Sequence, residues 1–292
     1  MSFFIYLGLF LVLMTSNSFA ICGGEYCPVR VKKSEEIQYA QTNFYEGFGV
    51  GTQYRTVAFD IGGKGYYNAL IFQPMYFHPR FSAGTILPLV QLYEPGVKNP
   101  HYGIANPLLL AEYYPLNKET MLALGTMAEL PLGNHERGMA ADHFMLIPYI
   151  TLTQAVLRGY AGAQLAYQRA LHGHDHGHHH HRILYVNPHE DEEIWYRVYG
   201  GWRFGSYTPE LLISGRYALE QHLGQDRSFL SIGTIQRYRL SPGLELNINL
   251  EFPVLSRERE FFRVGGGVYA QLADLLPRKH TTQNNIPDGG IK

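Results

Sequence analysis

Charge is what this chain has least of. Only 17% of its 292 residues are Asp, Glu, Lys or Arg, where about a quarter is usual for soluble domains. The 24 basic residues are balanced by 25 acidic ones. Without a basic excess there is no footprint for grasping phosphates, which argues against a nucleic-acid partner. Long apolar runs are also missing. Past residue 20 no stretch approaches the roughly 20 apolar residues that a membrane-spanning helix needs. Trp and Cys number 2 each. What is plentiful is 22 Tyr, 16 Phe and 31 Gly in a chain that is 46% hydrophobic. That is too apolar for disorder, and it points towards β structure.

Residues 1–20 read as a cleavable export signal. Phe3 to Met14 (FFIYLGLFLVLM) is an apolar stretch, and Ser18 and Ala20 put small residues at the −3 and −1 positions of a cleavage site. The n-region carries no Lys or Arg, and a single membrane anchor or a buried strand is the competing reading. Ile21 directly before Cys22 argues against lipidation. Cys22 and Cys27 frame CGGEYC just past that site. In an exported protein this close pair suggests a small disulfide loop, with metal capture by two thiolates as the alternative. Residues 21–42 would form a periplasmic arm whose basic and acidic residues (Arg30, Lys32, Lys33, Glu35, Glu36) could plug a lumen from below.

From residue 43 onward the dominant period is two. In 244–254 (LELNINLEFPV), Leu244, Leu246, Ile248, Leu250, Phe252 and Val254 share one face, and Glu245, Asn247, Asn249 and Glu251 the other. Alternation over so many residues excludes an amphipathic helix. Residues 194–204 and 211–220 behave alike. Strands are expected near 43–60, 66–78, 84–94, 104–114, 120–131, 143–154, 157–171, 191–206, 209–222, 227–239, 242–255 and 259–273.

Twelve long strands in a meander fit an all-β fold of a particular kind, a transmembrane antiparallel up-and-down β-barrel over 43–276, followed by a polar tail at 277–292. Connection lengths support it. With a periplasmic N-terminus the even-numbered connections should be short turns, and they are. The long connections, 132–142 and 172–190, fall on the opposite side. A secreted β-sandwich or soluble barrel also alternates, but its wide apolar band would then have to fill the lumen.

In the membrane reading the apolar face meets outer-membrane lipid. Arg197, Arg203, Arg216, Glu220, Arg237, Glu245, Glu251 and Arg263 would then line the pore. Tyr113, Tyr114, Trp195, Tyr196, Trp202, Tyr207, Phe261 and Phe262 would sit near strand ends as an aromatic girdle. The location implied is the outer membrane of a diderm bacterium.

The most conspicuous chemistry is HGHDHGHHHH at 172–181. His172, His174, His176, His178, His179, His180 and His181, with Asp175 among them, are candidate metal ligands. Neutral imidazole suits Zn, Ni, Cu and Co, and alternating His in a Gly-containing chain can wrap one ion. A hydrophilic spacer is the plain alternative. The acidic stretch HEDEE at 189–193 follows, and His135, Glu136 and His143 are candidates for a second metal or gating cluster. No cofactor is required. H-x-S, G-x-S-x-G, H-E-x-x-H and phosphate-loop patterns are all absent, so an enzyme is not expected.

Asn106 to Asn134 (NPLLLAEYYPLNKETMLALGTMAELPLGN) and His143 to Leu152 (HFMLIPYITL) carry a family resemblance. Together they resemble the outer-membrane barrels known as meta-pathway phenol-degradation channels, or simply as transporters. The shared pieces are a strand, a short turn, a second strand ending in LPLG, and a loop leading to a Pro-containing third strand. The resemblance implies a channel for small, often hydrophobic molecules. The His-rich loop is similar to loops of barrels linked to heavy-metal efflux. Two functions follow: a channel with a charged lumen and a metal-handling loop, or a closed barrel that presents the loop as a surface metal sensor.

Overall fold

A computed structural model of the chain describes residues 47–61, 63–171, 184–219, 227–241, 243–255 and 262–271. The export signal, Cys22 and Cys27, the arm, the histidine run, Glu220, Phe261 and the tail lie outside the described residues.

Thirteen β-segments form one closed antiparallel sheet. They are β1 (Gly47–Phe59), β2 (Gly65–Phe77), β3 (Phe81–Tyr93), β4 (His101–Ile104), β5 (Leu108–Asn117), β6 (Thr120–Glu129), β7 (Phe144–Val156), β8 (Gly159–Leu171), β9 (Glu192–Trp202), β10 (Tyr207–Ala218), β11 (Ser228–Ser241), β12 (Leu244–Leu255) and β13 (Phe262–Gln271). β4 and β5 are two halves of one strand, since both pair with the same edge of β3: Leu89↔Ile104 on one side of the break and Ile86↔Leu108 on the other. The break at Ala105-Asn106-Pro107 is a bulge of the kind that bends barrel walls. The ring therefore has twelve strands, as the meander predicts. β1 closes on β13 from Gly49↔Gln271 to Ala58↔Phe262.

The period-two sequences face as expected. Leu211, Val198, Leu165 and Phe252 are more than half exposed on the outer surface, and Glu251, Asn249 and Asn247 point inward from β12. The outer surface is thus a continuous apolar band, which is what lipid solvates. Among the girdle residues, Tyr113, Tyr196, Trp202 and Tyr207 are exposed outside. Tyr114 and Trp195 are buried inside, a correction to the sequence expectation. Each has a polar partner there, and that outweighs the preference of aromatics for the interface.

Tyrosine rings repeatedly cross the glycine of a neighbouring strand. Tyr149, Tyr199 and Tyr160 pair directly with Gly125, Gly162 and Gly201. A Cβ on those glycines would sit 2.2, 2.5 and 2.5 Å from the ring Cζ. With the glycine leaving room, each hydroxyl reaches one strand further: Tyr149 donates to Glu112 at 2.7 Å, Tyr199 shares a bond with Thr153 at 2.6 Å, and Tyr160 donates to Glu210 at 2.5 Å. These three glycines thus seat aromatic cross-braces.

Candidate functional site: a two-sided lumen under a strap

The lumen has two unlike walls. On β8 to β13 it is mostly polar, with a small apolar cluster around Leu212 and Ile235. A register row runs through Gln164, Arg197, Ser214 and Ser231 on β8 to β11. Glu251 on β12 accepts hydrogen bonds from Ser214 Oγ at 2.6 Å and from Ser231 Oγ, and pairs with Arg263 on β13 at 2.8 Å. Arg197 acts on the same carboxylate electrostatically. Nearer the short-turn end, Arg237 bridges Glu210 at 3.6 Å and Glu245 at 3.3 Å. The Glu251–Arg263 pair is buried on both sides, where a lone ion would be costly.

Six of the eight expected pore-lining residues therefore line the interior: Arg197, Arg216, Arg237, Glu245, Glu251 and Arg263. Arg203 lies just beyond β9, half-buried, with its N–H donating to Arg158 O at 2.9 Å. That places it in the connection after β9. Glu220 is outside the described residues.

The wall on β2 to β7 is largely apolar, which the sequence reading did not anticipate. Ile71, Met75, Ile86, Val90, Leu92, Leu108, Leu110, Met127 and Ile147 face inward as one buried cluster. The two walls meet at the barrel seam. Asn249, Gly265, Arg55, Ala69 and Val90 follow one another across β12, β13, β1, β2 and β3. Polar and apolar lining thus meet along one register row. Glu112 is set into the apolar side, where the hydroxyls of Ser82, Tyr114 and Tyr149 donate to its carboxylate at 2.9, 2.6 and 2.7 Å.

Two connections fold over the end that bears the longer loops. The first, after β6, contains a short 3-10 turn (His135–Arg137). It is pinned by Asn134 N–H to Ile104 O and by Asn106, which donates to Glu129 Oε1 at 2.9 Å and Ala141 O at 2.8 Å. Asn106 stands in the β4–β5 break, so the bulge serves to anchor this loop. The second is the segment before β9. Every residue from 184 to 190 is buried. Its attachments lie around the whole mouth: Tyr185 N–H bonds Gly138 O, and the Tyr185 ring stacks on Phe59 of β1 at 5.1 Å. Arg216 of β10 donates to Pro188 O and Asn187 Oδ1, and Gln168 of β8 donates to Glu190 O. Asn187 turns the chain with a φ of 52°, a left-handed conformation that Asn tolerates better than most residues. This strap crosses the opening.

Beneath the strap, His189 bonds Asn187 O through Nδ1 at 2.8 Å. Burial holds its imidazole below the usual pKa, against the opposing pull of Glu129 and Glu193, so the ring is neutral at pH 7. Burial raises the Tyr185 phenol in the same way. Arg216 lies 4.9 Å over the Trp195 ring, and Trp195 Nε1 donates to Glu193. Among the described residues, no three His, Cys, Asp or Glu side chains are close enough together to hold a metal as they stand.

No family model matches the chain, and no curated protein matches it in sequence. Solved structures do match in fold. An outer membrane channel from Pseudomonas putida F1 superposes with a TM-score of 0.61 at 11% identity, over 86% of this chain and 99% of that one. The KdgM porin, crystallised with a disordered oligogalacturonate, gives 0.46 at 11% identity over 76% and 98%. The fold is that of outer-membrane β-barrel channels.

Proposed function

We propose that the protein is a channel in the outer membrane of a diderm bacterium, passing small molecules that carry a polar group on an apolar body. The two-sided lumen carries this reading. A solute sliding along β2 to β7 keeps its apolar body out of water, while its polar group faces the row on β8 to β13. Binding sites combine a mostly apolar lining with a few placed polar groups in the same way. The resemblance to phenol-degradation channels, which implies small and often hydrophobic solutes, supports it, and the strap narrows the mouth they would pass. The test is uptake into proteoliposomes. Benzenesulfonate, whose fixed charge keeps it from crossing lipid unaided, is expected to enter faster, relative to protein-free vesicles, than a sugar-derived anion of similar size. Equal acceleration of both would mean an unselective water pore.

Metal handling by the histidine run belongs to the same proposal. Its chemistry is that of many degenerate imidazole ligands, which capture or buffer ions and do not build one rigid site. Calorimetric titration with Zn, Ni and Cu should give several equivalents for the full chain, and fewer after deletion of 172–181. Unchanged stoichiometry would remove the run from the function.

A further inference from the structure

We infer that His189, His143 and Asp191, with Glu129 beside them, form a divalent transition-metal site that clamps the strap to the barrel mouth. The three come from separate places: His143 directly precedes β7, Asp191 directly precedes β9, and His189 lies in the strap. Glu129 is the last residue of β6. The His143 and His189 rings stand perpendicular with centroids 6.1 Å apart. His143 Nε2 is 3.7 Å from Asp191 Oδ1, close to the spacing of two ligands on one ion. Two imidazoles on a tetrahedral Zn, with Zn–N near 2.0–2.1 Å, would have centroids about 5 Å apart. The site is therefore not closed as it stands, and closing it requires the rings to approach by roughly 1 Å.

Two buried atoms point to a missing partner. His189 is 4% exposed and Glu129 5%. Yet His189 Nε2 and Glu129 Oε2 each lack a hydrogen-bond partner, an arrangement that proteins rarely leave unanswered. Glu129 and Glu193 also act electrostatically on His189, and Glu190 is buried close by in sequence. A divalent cation between the two rings would answer both open atoms, His189 Nε2 and Glu129 Oε2.

The site uses no residue of the histidine run, and the experiment keeps the two apart. Protein lacking 172–181 is titrated with ZnCl2 alone by calorimetry. One equivalent is expected, weakened at least tenfold by His189→Gln and by His143→Gln, with heat-modifiable gel mobility unchanged as the folding check. Should the deletion itself fail to fold, His189→Gln in the full chain is expected to remove one equivalent from the total. No Zn binding by the folded deletion protein, or binding indifferent to both substitutions, overturns the proposal. The stoichiometry is independent of solute flux, so it fails or stands apart from the channel reading.

Discussion

Replacing Glu251 by methionine is expected to destabilise the folded barrel by about 3–5 kcal/mol, the usual loss when one member of a buried ion pair is removed. Glu251 is the hub of the polar wall, with Arg263 at 2.8 Å, Ser214 at 2.6 Å and Arg197 acting on it electrostatically. Without the carboxylate, Arg263 loses its 2.8 Å ion pair and Arg197 a favourable electrostatic neighbour. The check is the urea concentration at which the unboiled, fast-migrating gel band disappears. The double variant Glu251→Met/Arg263→Met should recover more than half of the loss, because it removes Arg263, the closer of the two cations, together with the carboxylate it pairs. If the single variant lies within about 1 kcal/mol of the parent, the pair is water-screened in the manner of surface bridges.

The second large effect is expected at the aromatic braces. Gly162→Val places a branched side chain where Tyr199 lies, its Cβ 2.5 Å from the ring Cζ. Overpacking of this kind costs about 1–3 kcal/mol, and the displaced hydroxyl gives up its bond to Thr153, worth about 1 kcal/mol more. Strand propensity alone predicts the opposite sign, since Val favours strands and Gly does not. The sign of the change in urea midpoint therefore separates the two. Adding Tyr199→Ala should relieve the clash, so that the double variant loses less than the sum of the single ones.

The outward face was legible because lipid demands one kind of residue at every second position. β9, β10 and β12 satisfy that demand while keeping polar residues inside, so their faces can be read directly. β2, β3 and β5 are apolar on both faces: Leu70 and Phe72 point out while Ile71 and Met75 point in. Their strands can be placed from turns and length, but the inward face gives no contrast to read. That is why the expected pore-lining residues all fall between Arg197 and Arg263, and the greasy half of the lumen goes unread.

Tyr114 and Trp195 were misplaced for a related reason. An aromatic near a strand end suits a girdle, and only parity combined with its partner (Ser82 and Glu112 for Tyr114, Glu193 for Trp195) sends it inside. The strap was harder still. LYVNPHE reads as an ordinary connection, and its burial comes from β1, β8 and β10 converging on it, contacts that no local window contains. The one hint was compositional, an apolar Leu-Tyr-Val triplet in a loop otherwise rich in His, Asp and Glu.

The closure between β1 and β13 sets the order in which the molecule can be made. Every other pairing in the ring joins strands that follow each other along the chain. A curved ribbon can therefore grow hairpin by hairpin with little loss of chain freedom. Joining Gly49 to Gln271 brings together segments more than 200 residues apart, and non-local contacts of that kind form slowly. Until they do, both terminal strands present unpaired edges, the template on which β structure aggregates. The last step is thus also the most hazardous. β13 meets it with three successive glycines, Gly265 to Gly267, which offer the arriving strand a nearly bare backbone. Assembly becomes a race between zippering that single seam and capturing a stranger's edge.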